Sequence, residues 1–212
     1  MAIDPSFVRW TTNVTKKRQY VVLPDGCRDI VISAEGAMLT DWDMRPRRIT
    51  LMPGDRMVGY RLRPGLVFDT ALLAELKTPA DAEALIAVAD DLEIATAIDL
   101  LAGDDTPLPD VARRFGVSLR GLQRHFRAHG QPRPVFWRML GRARRSAIAL
   151  GTDAPLVDVA GMHGYADQAH MTRALRHWFG ATPAQVRADA DLRAEIDQPA
   201  LGTWTGEQIS MR

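Results

Sequence analysis

The sequence predicts an α+β chain. A small antiparallel β-rich N-terminal domain and two linker helices come first. An all-α second half follows, which uses one two-helix plan twice around a central helix. Three observations carry this prediction. Short β-branched runs cut by Pro and Gly fill residues 20–62. From Thr70 onward the apolar residues recur at helical spacing instead. Charge then divides the chain, although its net value over 212 residues is only +1. Residues 1–105 carry 12 basic and 17 acidic residues, residues 106–187 carry 13 arginines against 4 aspartates, and residues 188–212 carry 2 basic and 5 acidic ones. A basic block joined to an acidic half points to a polyanion partner, with nucleic acid the default.

The composition bounds the rest. Hydrophobic content of 46% and charged content of 25% are those of an ordinary soluble globular protein. No run approaches the 18 or more apolar residues of a membrane span. MAIDPSFVRW lacks the basic and apolar regions of a secretory signal. The single cysteine, Cys27, excludes an internal disulfide and a cysteine-rich zinc site. Together these predict a cytoplasmic protein with no membrane partner.

The boundaries follow from the punctuation: residues 1–78 form the β-rich unit, 79–105 the linker helices, 106–188 the basic helical domain and 189–212 a tail. In the first unit, YVVL (20–23), RDIVIS (28–33), 37–40, 49–52 and 57–62 read as strands between turn signals such as Pro24-Asp25-Gly26 and Pro53-Gly54. Arg45, Arg47, Arg48, Arg56, Arg61 and Arg63 are read as lining a solvated face, with an anion pocket as the alternative. ALLAELK (71–77) is a short helix. Residues 79–103 place Leu85, Val88, Leu92, Ala95, Ile98 and Leu101 near a helical stripe, with a break at Asp90-Asp91. This segment is read as a packing helix bridging two domains; a dimerisation helix is the alternative. GDDTP (103–107) is the polar boundary, and the tail is a short helix followed by loosely held chain, with Trp204 as its docking residue.

LPDVARRFGVSLRGLQRHFRAHG (108–130) has the marks of a helix-turn-helix. Val111, Ala112 and Phe115 give a first helix an apolar face, Gly116 supplies a turn residue tolerant of positive φ, and Val117 anchors beneath it. Ser118 caps a second helix whose Leu122 and Phe126 face inward. Arg120, Gln123, Arg124 and Arg127 face outward, with the chemistry of a major groove: arginine forks onto guanine and glutamine onto adenine. PLVDVAGMHGYADQAHMTRALRHWFG (155–180) repeats the plan. Val157, Val159 and Ala160 pack its first helix, Gly164-Tyr165 turns, and Asp167 caps a helix with Met171, Leu175 and Trp178 inside. Gln168, Thr172, Arg173 and Arg176 lie on the other face.

The caps Ser118 and Asp167 are 49 residues apart. Between them, residues 134–150 read as one helix about 25 Å long at 1.5 Å per residue. Such a connector can hold two reading helices roughly one DNA turn, 34 Å, apart. Its Arg138, Arg142, Arg144 and Arg145 are either phosphate clamps or structural partners.

At this point the chain resembles the AraC/XylS family of bacterial transcription regulators over about residues 106–187. "VARRFGVSLRGLQRHF" carries the first half of the likeness. "VAGMHGYADQAHMTRALRHWFGATPAQVR" carries the second, and its close, Phe179-Gly180-Ala181-Thr182-Pro183, is very characteristic. The resemblance implies a DNA-binding transcription factor of the activator kind, with double-stranded operator or promoter DNA and RNA polymerase as partners and no cofactor. It places Arg120, Gln123 and Arg124 in base-reading positions of the first unit, and Gln168, Ala169, Thr172 and Arg173 in those of the second. Ser118, Arg127, Arg138, Arg142 and Arg176 are assigned to phosphates. "LPDGCRDIVIS" and "GYRLRPG" also look like a small β-domain fused to this domain in one subgroup. That likeness implies a sensory or dimerisation module, hence a small-molecule effector or a homodimer.

The chain departs from the family at several points. Gly130 falls one residue early, Met171 and Leu175 stand for common phenylalanines, and Val186 stands for a common tyrosine. These are apolar exchanges that leave the fold intact. Ala169 offers a base only a methyl contact, so the second unit is expected to read sequence more weakly.

Other chemistry competes poorly. Cys27 is read as an inert turn cysteine; its neighbour Arg28 could favour a thiolate, and DNA alkyl transfer or thiol sensing is the alternative function. His125 and His129 have the i, i+4 spacing of a metal pair, but a DNA-facing or interface position is the simpler reading and no metal is assigned. His163 and His170 are separated by Gly164. No catalytic residues and no enzyme activity are predicted.

Overall fold

A computed structural model describes residues 6–89, 92–103 and 106–205. Six strands come first: β1 (Phe7–Asn13), β2 (Arg18–Val22), β3 (Arg28–Ser33), β4 (Gly36–Leu39), β5 (Arg47–Leu51) and β6 (Arg56–Leu62). β1, β6, β3 and β4 make a four-stranded antiparallel sheet in that order, and β2 and β5 pair separately as a two-stranded ribbon. The strand reading missed β1, which lies before residue 20, where that reading began. Its partner β6 locates it: Trp10 pairs with Gly59, and its ring lies over that residue, where a Cβ could not fit.

Thr70–Glu75 is a 3-10 helix of about two turns capped by Asp69. The helices follow: α1 (Pro79–Ala87), α2 (Leu92–Gly103), α3 (Leu108–Arg114), α4 (Leu119–Ala128), α5 (Pro134–Ala149), α6 (Leu156–Met162), α7 (Gln168–Phe179), α8 (Pro183–Ala188) and α9 (Ala190–Ile196). α1 starts with a capping box in which the Thr78 hydroxyl accepts from the Asp81 amide and the Asp81 carboxylate accepts from the Thr78 amide. α8 repeats the device with Thr182 and Gln185.

Two cores result, and the pair of helices between the halves divides between them. α1 puts Ala82, Leu85 and Ile86 against Ile30, Tyr60 and Leu62 of the sheet. α2 puts Ile94, Ala97, Ile98 and Leu101 into the helical core with Trp137, Leu140 and Phe126. Close approach explains the second attachment. A Cβ on Gly141 of α5 would sit 2.6 Å from the Ala102 Cα, so only glycine lets α2 and α5 cross there. Val88, which the periodicity placed on the buried stripe, is 80% exposed. The break at Asp90-Asp91 and the pair Asp104-Asp105 lie outside the described residues.

The halves are fastened together. Trp42 meets Trp137 edge-on at 5.1 Å between ring centroids. The Arg63 guanidinium pairs with Asp99 of α2 at 3.0 Å. The buried Gln131 amide donates to the Leu66 carbonyl at 3.5 Å. The tail adds a further tie, and here the expectation of loosely held chain is corrected. After α9, Ala200 and Leu201 are buried, and the Leu201 amide donates to the Asp25 carbonyl at 3.0 Å. Arg144 of α5, itself buried, donates to the carbonyls of Leu201 at 3.2 Å and Gln198 at 2.8 Å. The backbone bonds of this segment go to the protein instead of water, which is why residues 197–203 are ordered.

Candidate nucleic-acid interface

The two helical units are built alike. At the end of α3 the Val117 amide donates back to the Ala112 carbonyl at 3.1 Å, and Gly116 between them has φ +67°. At the end of α6 the Tyr165 amide donates to the Ala160 carbonyl at 2.9 Å, and Gly164 has φ +67°. Each turn is a glycine-dependent helix stop of the same hydrogen-bonded type. Each is followed by a capped helix. The Ser118 hydroxyl accepts from the Gly121 amide at 3.1 Å, and the Asp167 carboxylate accepts from the His170 amide at 2.6 Å.

Counting from these caps aligns the two helices residue by residue. Leu122 matches Met171 and Phe126 matches Leu175, all four buried. On the other side Arg120 matches Ala169, Gln123 matches Thr172, Arg124 matches Arg173 and Arg127 matches Arg176. Arg120, Gln123, Arg124 and Arg127 are all exposed on one face of α4. Gln168, Ala169, Arg173 and Arg176 are exposed on α7. Thr172 is half-buried, and its hydroxyl donates to the Gln168 carbonyl at 2.8 Å.

α5 runs between the units, and its arginines separate into different roles. Arg142 donates to the Gly164 carbonyl at 2.9 Å, and its guanidinium lies 4.7 Å over the Tyr165 ring. It clamps the second turn. Arg144 holds the tail, as above, and burial draws its pKa down. Arg145 donates to the Ala102 carbonyl of α2. Arg138 is half-buried. Val157, expected to pack α6, is 62% exposed, whereas Val159 and Ala160 are buried as expected. The packing side of so short a helix is settled by what faces it.

Beneath the first unit lies an open cleft of about 340 Å³ lined by Glu93, Ala97, Phe115, Val117, Leu122 and His125 among others. The His125 imidazole is 3.8 Å from the Glu93 carboxylate across it. His129 hydrogen-bonds through Nδ1 to the His125 carbonyl oxygen at 2.9 Å.

In the β-rich unit, the solvated arginine face needs correction at Arg61. It is largely buried, which opposes its charge, but it donates to Asp25 and is held protonated by Asp25 and Asp29. Cys27 sits beside this pair and is buried. Desolvation pushes its thiol well above the ordinary range, Arg61 opposes, and Asp25 and Asp29 add to the rise. Burial thus weighs against the alternative of a thiolate, and Arg28, the neighbour that suggested it, lies 4.4 Å over the Trp42 ring. This packing could not be read from residue types alone.

No helix among the described residues is long and apolar enough to cross a membrane. Residues 111–189 match the model of a helix-turn-helix domain family. The transcriptional activator NphR of a Rhodococcus species is 33% identical over 87 residues, which are 40% of this chain and 25% of that protein. This chain thus spans only a quarter of that relative's length. Among solved structures, a transcriptional regulator with an AraC-type DNA-binding domain from Chromobacterium violaceum is 25% identical, covering 51% of this chain and 95% of that one, with a TM-score of 0.41. ToxT from Vibrio cholerae is 12% identical over 86% of this chain and 97% of that one, with a TM-score of 0.45.

Proposed function

From residues 111–189, a helix-turn-helix domain of the AraC type, we propose that the chain is a transcription regulator that reads DNA sequence with two helices, α4 and α7. One observation carries the reading. Two capped helices of the same construction carry exposed polar and cationic side chains at matching positions and are joined through one connecting helix. In this reading Arg120, Gln123 and Arg124 address base edges in one major-groove segment, and Gln168, Ala169 and Arg173 address those in the next. Thr172 offers its methyl, because its hydroxyl is spent on its own helix. Arg127 and Arg176, one turn further along, meet phosphates and set the salt dependence. Ser118 keeps its hydroxyl on the cap, so any phosphate contact there shares that oxygen. Regulation acts through RNA polymerase at the promoter. The β-rich unit, fastened to the reading domain through Trp42, Arg63 and the tail, is where an effector or a second copy would act.

Selection of bound sequences from a random duplex pool, followed by salt titration of the winners, tests this. Two short conserved blocks about one helical turn, roughly 34 Å, apart are expected. A single block would reduce α7 to backbone contacts. No enrichment at any salt concentration would sink the reading.

A further inference from the structure

We propose that the β2–β5 ribbon and the loop leading into β5 make a third DNA contact, gripping phosphates that flank the segment read by α7. The proposal rests on the reading of α7 as a recognition helix.

The geometry starts on α7. At 3.6 residues per turn, Ala169, Arg173, Arg176, His177 and Gly180 fall on one stripe. All five are exposed. The stripe begins among the residues assigned to bases and ends against the β-rich unit. The Pro46 ring lies 3.7 Å from where a Cβ on Gly180 would stand. Pro46 brings its neighbours to the same place. Arg45 precedes it, Arg47 and Arg48 follow, and all three are exposed. Exposed Lys16, Lys17 and Arg18 lie at the other end of the ribbon, where Arg18 pairs with Leu51. Arg48 pairs with Val21 and shares its ribbon face with Gln19 and Thr50, all outward and exposed.

These side chains hang on a fixed base. Trp42, three residues before Arg45, is wedged against Trp137 of the reading domain and covered by the Arg28 guanidinium. The loop is therefore held on the same body as α7.

The charges need a partner. Arg47 pairs with Asp43, and Asp41 lies near Arg28. Arg45 and Arg48 make no ion pair among the described residues. Arg45 instead faces His177 across the junction of the two halves, where burial and that arginine together make the imidazole harder to protonate. A polyanion lying along the stripe and onto the loop would pair with the Arg45 and Arg48 guanidiniums, and duplex DNA seated on α7 supplies one at that position.

The test uses the full chain with Arg45→Ala and Arg48→Ala together, compared on the selected duplex and on a random duplex of equal length. The expected slope of log affinity against log salt is shallower by roughly 1.8, since each lost phosphate contact removes about 0.9. Both duplexes should weaken alike, with the consensus unchanged. Hydroxyl-radical protection should recede from the outer flank of the α7 block only. Arg45→Lys with Arg48→Lys should restore the slope. A double-alanine variant with wild-type slope and footprint overturns the ribbon contact while leaving recognition by α7 standing. Failure of the wild-type chain to bind either duplex overturns both.

Discussion

The two reading units share a backbone plan but differ in what they carry and in how they are braced. The first is rich in donors: Arg120, Gln123, Arg124 and Arg127 stand where the second has Ala169, Thr172, Arg173 and Arg176. Its cap is the neutral Ser118, whereas the second unit places the carboxylate of Asp167 at its reading end. Support runs the other way. Val117 under the first turn is 42% exposed and borders an open cleft. Tyr165 under the second is 5% exposed, stacked by Arg142 and tied to α5. The comparison teaches that exposed donor chemistry and rigidity are supplied separately here. The unit with more exposed donors is the one held less firmly.

The largest expected effect probes the bracing. Tyr165→Ala should cost about 3–5 kcal/mol in urea unfolding, as for other buried aromatics. Val117→Ala should cost less than about 1 kcal/mol. Equal losses would mean that the two turns are braced alike.

The chemistry comes next. Arg124→Ala should cost about 1–3 kcal/mol at one base position of the first block and relax selectivity there. A uniform loss across sequences would make it a phosphate contact. Ala169→Arg copies Arg120 into the second unit and should add a guanine preference of comparable size to the second block, read by repeating the duplex selection. No new preference would show that α7 lies too far from the bases.

Arg142→Ala separates a clamp from a phosphate ligand. Loss of the bond to Gly164 and of the stack on Tyr165 should lower stability by about 1 kcal/mol and leave the salt slope of binding unchanged. A shallower slope at unchanged stability would restore the phosphate assignment.

The smallest effect concerns the cap. Asp167→Asn keeps a capping oxygen while removing a negative charge, so the melting temperature should hardly move and DNA affinity should rise a few-fold at low salt. An unchanged affinity would place the end of α7 outside the field of the phosphates.

Much of this architecture was legible in the sequence wherever the rule is local. Gly116 and Gly164, the caps Ser118 and Asp167, and the inward residues Leu122, Phe126, Met171 and Leu175 all stand where spacing put them. Five of the strands were found from their bounding turns. β1 was not, because Phe7–Asn13 is specified by its pairing with β6, about fifty residues away. Val88 and Val157 were misplaced because periodicity gives a stripe its direction but not its edges.

What the sequence by itself determined is the repeated helix-turn-helix plan and the face each reading helix turns outward. Both follow from backbone sterics at glycine, from capping chemistry and from the 3.6-residue period, which act within a few residues. What only the tertiary structure decided is the work of each arginine. Arg124 is exposed, Arg142 clamps a turn, Arg144 holds the tail and Arg61 pairs with Asp25 beside a buried cysteine. A guanidinium looks the same in sequence whichever of these it does. Its role depends on carbonyls, rings and carboxylates that lie between twenty and sixty residues away, and folding alone brings them within hydrogen-bond reach.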